Sequence, residues 1–109
     1  MAYSEELAER IRELIFERPE VTERKMFGGV AWMLSGNMAV GVNEDRLMVR
    51  LSHEDAEAAL AESHVGPMEF TGRPMRGFVT VEPEGLEDDG DLAGWINAGA
   101  DFAASLPPK

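Results

Sequence analysis

Two kinds of hydrophobic spacing alternate along the chain, and the points where they switch divide it into elements. In "YSEELAERIRELIFERPE", Leu7, Ile11, Leu14 and Ile15 stand at i, i+4, i+7 and i+8, the spacing of one helical face. Ser4 can cap this helix, Glu5 and Glu6 suit its positive end, and Pro19 is expected to stop it within a residue or two. Three short segments with strand character follow, at 27–34, 38–42 and 46–51. They are joined by "SGN" (35–37) and "NED" (43–45), hairpin-sized connections rich in turn formers. In "RLMVRL" the alternation is explicit: Leu47, Val49 and Leu51 point one way and Arg46, Met48 and Arg50 the other.

Ser52 then opens a second helix, "SHEDAEAALAES", whose thin apolar face of Ala56, Ala59 and Leu60 suits close packing on a sheet. "PMEF" (67–70) and "RGFVTVEP" (76–83) read as two further strands joined by "TGRP". The acidic loop "EGLEDDGD" leads to a last helix starting near Asp91, with a stripe of Leu92, Trp95, Ile96, Phe102, Ala103 and Leu106. Gly99 falls on that stripe, where it would let the helix approach its neighbour closely, and Pro107 and Pro108 end the helix. The order α-β-β-β-α-β-β-α, without repeat or linker, predicts a single domain over 1–109. Its class is α+β, a two-layer antiparallel sheet with helices on one face.

Composition narrows the function. The chain has 109 residues, 44% of them apolar, and no cysteine, so disulfides, thiolate metal sites and cysteine nucleophiles are excluded. No apolar run approaches the roughly 18 residues of a membrane span. The N-terminus is acidic and amphipathic rather than a signal peptide, so a cytoplasmic location is expected. Net charge is −11, concentrated at the two ends, while residues 24–81 are close to neutral. Such a chain would be repelled by a duplex, so direct nucleic-acid binding by this chain alone is not expected.

The stretch "RKMFGGVAWM" (24–33) asks what a Gly-Gly pair does there. A phosphate-cradling loop needs spaced glycines after a strand and before a helix, and the context read here is the reverse. Gly28 and Gly29 are therefore read as permitting a bulge, or close packing of a helix, where the chain enters the sheet. "RKMFGG" (Arg24, Lys25, Met26, Phe27, Gly28, Gly29), then "NMAVGV", "LMVRL" and "PMEFTGRPMRGFVTVEP" (with Gly72, Arg73, Arg76 and Gly77), resemble the N-terminal domain of the TfoX/Sxy family over roughly residues 4–106. The resemblance makes Met26, Phe27, Gly28, Gly29, Gly72 and Gly77 a fold signature. It implies a regulatory role, since the family's namesakes are bacterial regulators of natural competence that act with the cyclic-AMP receptor protein. Those namesakes carry a second, helical C-terminal domain. The ending "FAASLPPK" resembles the close of single-domain members.

Candidate chemistry is sparse. His53 and His64 are eleven residues apart, about 16 Å along a helix at ~1.5 Å per residue, too far to share a metal. No GxSxG elbow, buried lysine motif or calcium-loop order is present. No metal, no cofactor and no enzymatic activity are expected. More informative are Arg46, Met48, Arg50, Arg76 and Phe78, which the alternation places on the sheet face away from the helices, with Ala31, Met33, Ala39 and Gly41 in the same phase. That face is either an interaction surface, with a protein partner or a second copy forming a homodimer, or a plain exposed sheet. Arg24, Lys25, Arg73 and Arg76 form the one basic cluster visible in the sequence. They either hold an anion or acidic partner, with Arg50, or pair with the acidic helices. The two functional readings are a non-enzymatic regulatory or interaction domain and a small-molecule or anion-binding module.

Overall fold

The computed structural model describes residues 3–26, 28–70 and 72–108; Phe27 lies outside that description, as do the side chains of Met26, Phe70, Arg73 and Pro74. The chain runs α1 (Glu5–Ile15), β1 (Val21–Met26), β2 (Gly29–Leu34), β3 (Asn37–Asn43), β4 (Arg46–Arg50), α2 (His53–Ala59), β5 (Val65–Phe70), β6 (Arg73–Val81) and α3 (Asp89–Ser105), with a 3-10 turn at Pro83–Gly85. The six strands make one antiparallel sheet in the order β1-β2-β3-β4-β6-β5. This is the expected α+β class with one strand more than the expected order. β1, "VTERKM", stands between α1 and β2, where the sequence reading placed no element. It is an edge strand with one neighbour, so only one flank needs pairing and no apolar alternation marks it. Ser4 and Ser52 cap α1 and α2 as expected, accepting from the N–H groups of Leu7 (3.1 Å) and Asp55 (3.0 Å). α1 ends at Ile15, four residues before Pro19, and α3 starts at Asp89 behind an Asp88 cap.

All three helices lie on one face of the sheet. Leu7, Ile11 and Ile15 from α1, Ala56 and Ala59 from α2, and Leu92 and Ile96 from α3 pack on Val30, Trp32, Val40, Val42, Leu47, Val49, Val79 and Val81. Leu60, expected on the apolar face of α2, is exposed, because that helix ends at Ala59 and the residue falls in the turn beyond it. Gly99 does bring α3 close: a Cβ there would sit 2.5 Å from the Ala39 carbonyl oxygen.

The Gly-Gly pair is explained by the hairpin between β1 and β2. Gly28 occupies its turn with φ 73°. Gly29 begins β2 so close to β3 that a Cβ would lie 2.0 Å from the Val42 carbonyl oxygen. The expected bulge or helix contact is therefore replaced by a turn and a strand-to-strand approach. The signature glycines Gly72 and Gly77 also have positive φ, 78° and 83°.

One polar network ties α1 to β1. Glu23 accepts from Arg12 Nε (2.8 Å) and Nη2 (2.9 Å) and from the indole Nε1 of the fully buried Trp32 (3.0 Å). Hydrogen bonding to the Arg12 guanidinium, reinforced by its charge, holds the Glu23 carboxyl below its ordinary range despite partial burial. A depressed folded-state pKa contributes stability that is present above the unfolded value, about 4.3, and is lost as pH falls through the folded value. Glu23→Gln should therefore be less stable than the parent at neutral pH. The gap should narrow steadily in urea melts taken below about pH 4.3; a gap independent of pH would show that the carboxylate charge contributes nothing.

Candidate interaction face

The face of the sheet opposite the helices is built by strand register. Arg24 of β1 pairs with Ala31 of β2, Ala31 with Gly41 of β3, Gly41 with Met48 of β4, Met48 with Thr80 of β6, and Thr80 with Gly66 of β5. Directly paired residues project to the same side, so this row crosses all six strands on one face. Three of its members are alanine or glycine, which leaves a shallow floor. Methionines from neighbouring rows lie across it: a Cβ on Gly41 would meet Met48 Cε at 2.9 Å and Met38 Cε at 3.0 Å.

The result is a second apolar cluster, separate from the helix-facing core. Ala31, Met38, Met48 and Met68 are buried in it, and Met33, Met75 and Phe78 pack around them half-buried. Met33, Met38, Met48, Met68 and Met75 thus converge on one side of one sheet. Met48, expected as an exposed contact residue, is only 3% exposed, because neighbouring side chains already cover it. The half-buried Met33, Met75 and Phe78 present the accessible apolar surface instead. Ala39, expected on this face, packs with Leu34, Ala100 and Ala103 toward α3. The register between β2 and β3 slips after Trp32↔Val40 to Met33↔Met38, so Ala39 is the extra residue of a bulge and the alternation reverses there. Met38 takes its place on the helix-free face.

A cleft of about 380 Å³ opens on this face over β6. Arg46 and Met48 of β4 form one wall, Pro67, Met68 and Glu69 of β5 the other, and Thr80 lies between them. Its floor is low because Thr80 is small and its partner Gly66 has no side chain.

The cations divide into two populations. On the helix side, Arg10, Arg12 and Arg18 each pair with acids: Asp89 (2.9 Å), Glu9 and Glu23, and Asp101 (2.8 Å). In the sheet, Arg46 pairs with Glu44 and, at 3.8 Å, with Glu82. The guanidinium of Arg50 stacks over Phe78 (5.6 Å) and over Phe102 of α3 (5.8 Å). Arg24, Lys25 and Arg76 are exposed and make no ion pair among the described residues. The alternative in which these three pair with the acidic helices is therefore not what the fold adopts. The side chain of Arg73 lies outside the description.

These basic residues do not form the single cluster the sequence suggested. Arg24 and Lys25 lie toward the β1 end that adjoins Gly29, whereas Arg73 and Arg76 lie at the opposite end of the sheet, in β6, with three strands intervening. Lys25 pairs with the helix-facing Val30, so it does not share the face of Arg24. What the bases share is the sheet itself. The six strands contain Arg24, Lys25, Arg46, Arg50, Arg73 and Arg76, six of the chain's ten bases, but of its 21 acids only Glu23 and Glu69. A strongly acidic protein thus carries a net basic sheet beneath an acidic layer of helices and loops.

His53, at the start of α2, stands beside Gly77, and His64 beside Gly85. Among the described residues no group of three or more His, Cys, Asp or Glu side chains could hold a metal ion. Nor is any helix among them long and apolar enough to cross a membrane.

Compared with known proteins, residues 13–103 match the family model of the TfoX N-terminal domain. No curated protein and no solved structure matches the chain.

Proposed function

Because this chain belongs to the TfoX N-terminal domain family, we propose that it acts without turnover, as a regulatory domain that works by protein–protein contact through the helix-free face of its sheet. The observation that carries this reading is the methionine and phenylalanine surface of Met33, Met75 and Phe78, left half-buried where no helix packs. Methionine surfaces adapt to differently shaped partners, and contiguous apolar patches of this kind mark interaction sites. The resemblance to TfoX/Sxy regulators points to competence or transcription control as the setting. An anion-binding module draws less support, since its arginines are dispersed across the sheet and Arg50 is engaged with two rings.

A photoreactive amino acid placed at Met33 should form covalent adducts with another protein when the chain is expressed in its host. The same residue at Glu57, exposed on α2, should not. Adducts at Glu57 alone, or none at either position, would refute the assignment of the face.

A further inference from the structure

We infer that the partner of the helix-free face is an acidic segment of a different protein, carrying a bulky apolar side chain that enters the cleft between β4 and β5. This deepens the interaction reading above and rests on it. Three observations support it.

Charge comes first. By register Arg24 and Arg46 project from this face, and Arg76 is exposed in β6, while the helices and loops hold nineteen of the 21 acids. Arg24 and Arg76 have no ion-pair partner among the described residues. An acidic segment would supply one, and electrostatic complementarity of this kind accelerates encounter and excludes wrong partners.

Symmetry comes second. In a two-fold dimer the same patch meets itself. A face-to-face pair of this chain would set the exposed, unpaired Arg24 of each copy against a second face of the same composition. A head-to-tail arrangement, basic sheet on acidic helix layer, would give a ring or an open filament rather than a two-fold dimer. A second copy is thus not the simple two-fold occupant of this face.

The third is shape. The cleft has apolar walls in Met48, Met68 and Pro67, with Glu69 on the β5 side and Arg46 facing it from β4, held by Glu44 and Glu82. At about 380 Å³ it lies near the lower end of small-ligand pockets, about 300–1,000 Å³, a size that accepts a single large side chain. An apolar anchor surrounded by charged rim contacts is the usual division of labour at an interface.

The test uses fluorescein-labelled peptides of alternating charged and serine residues, acidic or basic, each made with and without a central phenylalanine, and read by anisotropy against the full chain. Only the acidic peptide with the phenylalanine should bind well, and more weakly as salt shortens the Debye length below about 10 Å. Arg24→Glu and Arg76→Glu alter exposed side chains and should leave the circular dichroism spectrum unchanged, while each weakens binding about tenfold. Glu57→Arg on α2 should not weaken it. Equal binding of acidic and basic peptides, indifference to the phenylalanine, or failure of the acidic peptide to bind would overturn the inference. So would light scattering that shows self-association lost in Arg24→Glu, which would make a second copy the occupant. If adducts form at Met33 but the acidic peptide does not bind, the interaction reading stands and the acidic partner falls. Absence of both would remove the face itself.

Discussion

Replacing Trp32 with alanine is expected to lower the free energy of unfolding by about 3–5 kcal/mol, the usual cost of truncating a fully buried aromatic. That is a large share of the roughly 5–15 kcal/mol that holds a domain of this size together. Trp32 is completely buried on the helix-facing side of β2, so its removal leaves a cavity under α1 and α3. It also removes the indole N–H that donates to Glu23 Oε1, leaving the Arg12–Glu23 pair without its third member. Trp32→Phe should cost less, about 1–2 kcal/mol, because most of the volume stays and chiefly the hydrogen bond is lost. Urea unfolding followed by far-ultraviolet circular dichroism reads both, and a loss below about 1 kcal/mol for the alanine variant would contradict the packing described. The half-buried Trp95 remains as a fluorescence reporter in either variant.

Gly29→Ala should be nearly as damaging, by about 3 kcal/mol or more, at the upper end of what overpacking costs. The added methyl would meet the Val42 carbonyl oxygen at 2.0 Å, and that atom is backbone held in the β2–β3 ladder, so no rotamer change relieves the clash. Either β2 separates from β3 at Val30↔Val42 or the β1–β2 hairpin reorients. Gly28→Ala, one residue earlier, tests a different cause. Its φ of 73° should cost only about 1–2 kcal/mol, the ordinary penalty for an L-residue in the left-handed region. Two equal losses, measured by the same denaturant titration, would mean that turn strain rather than close strand approach explains the pair.

Several elements were legible because their signals are local. The stripe of Leu7, Ile11 and Ile15 is a helical face whatever surrounds it, and Ser4 and Ser52 cap helices with their own side chains. "RLMVRL" alternates because β4 is a central strand with different environments on its two faces. The family signature was equally readable, and the match over residues 13–103 bears it out. β1 escaped notice for the opposite reason. At the edge of a sheet an exposed, charged strand such as "VTERKM" is favourable, because it discourages pairing with other chains, and that same composition hides it.

The candidate face was half legible. Alternation placed Met48, Phe78, Ala31 and Met33 there correctly. Ala39 went astray because a single bulge residue reverses every side chain until the next irregularity, and nothing in "NMAVGV" marks where the ladder slips. Met68 and Met75 were missed because the register between β5 and β6 is interrupted between Pro67 and Glu69, so spacing alone does not say which way they point.

By itself, then, the order of residues determined the helices, the central strands, the class of fold and the family, since each depends on periodicity, caps and turn residues within a few positions of one another. Only the tertiary structure decided that five methionines share one floor of small residues, that the two basic boxes lie at opposite ends of the sheet, and that the basic residues of an acidic chain are gathered into its strands. Those properties depend on which strands become neighbours and in what register, and contacts between residues far apart in sequence set both.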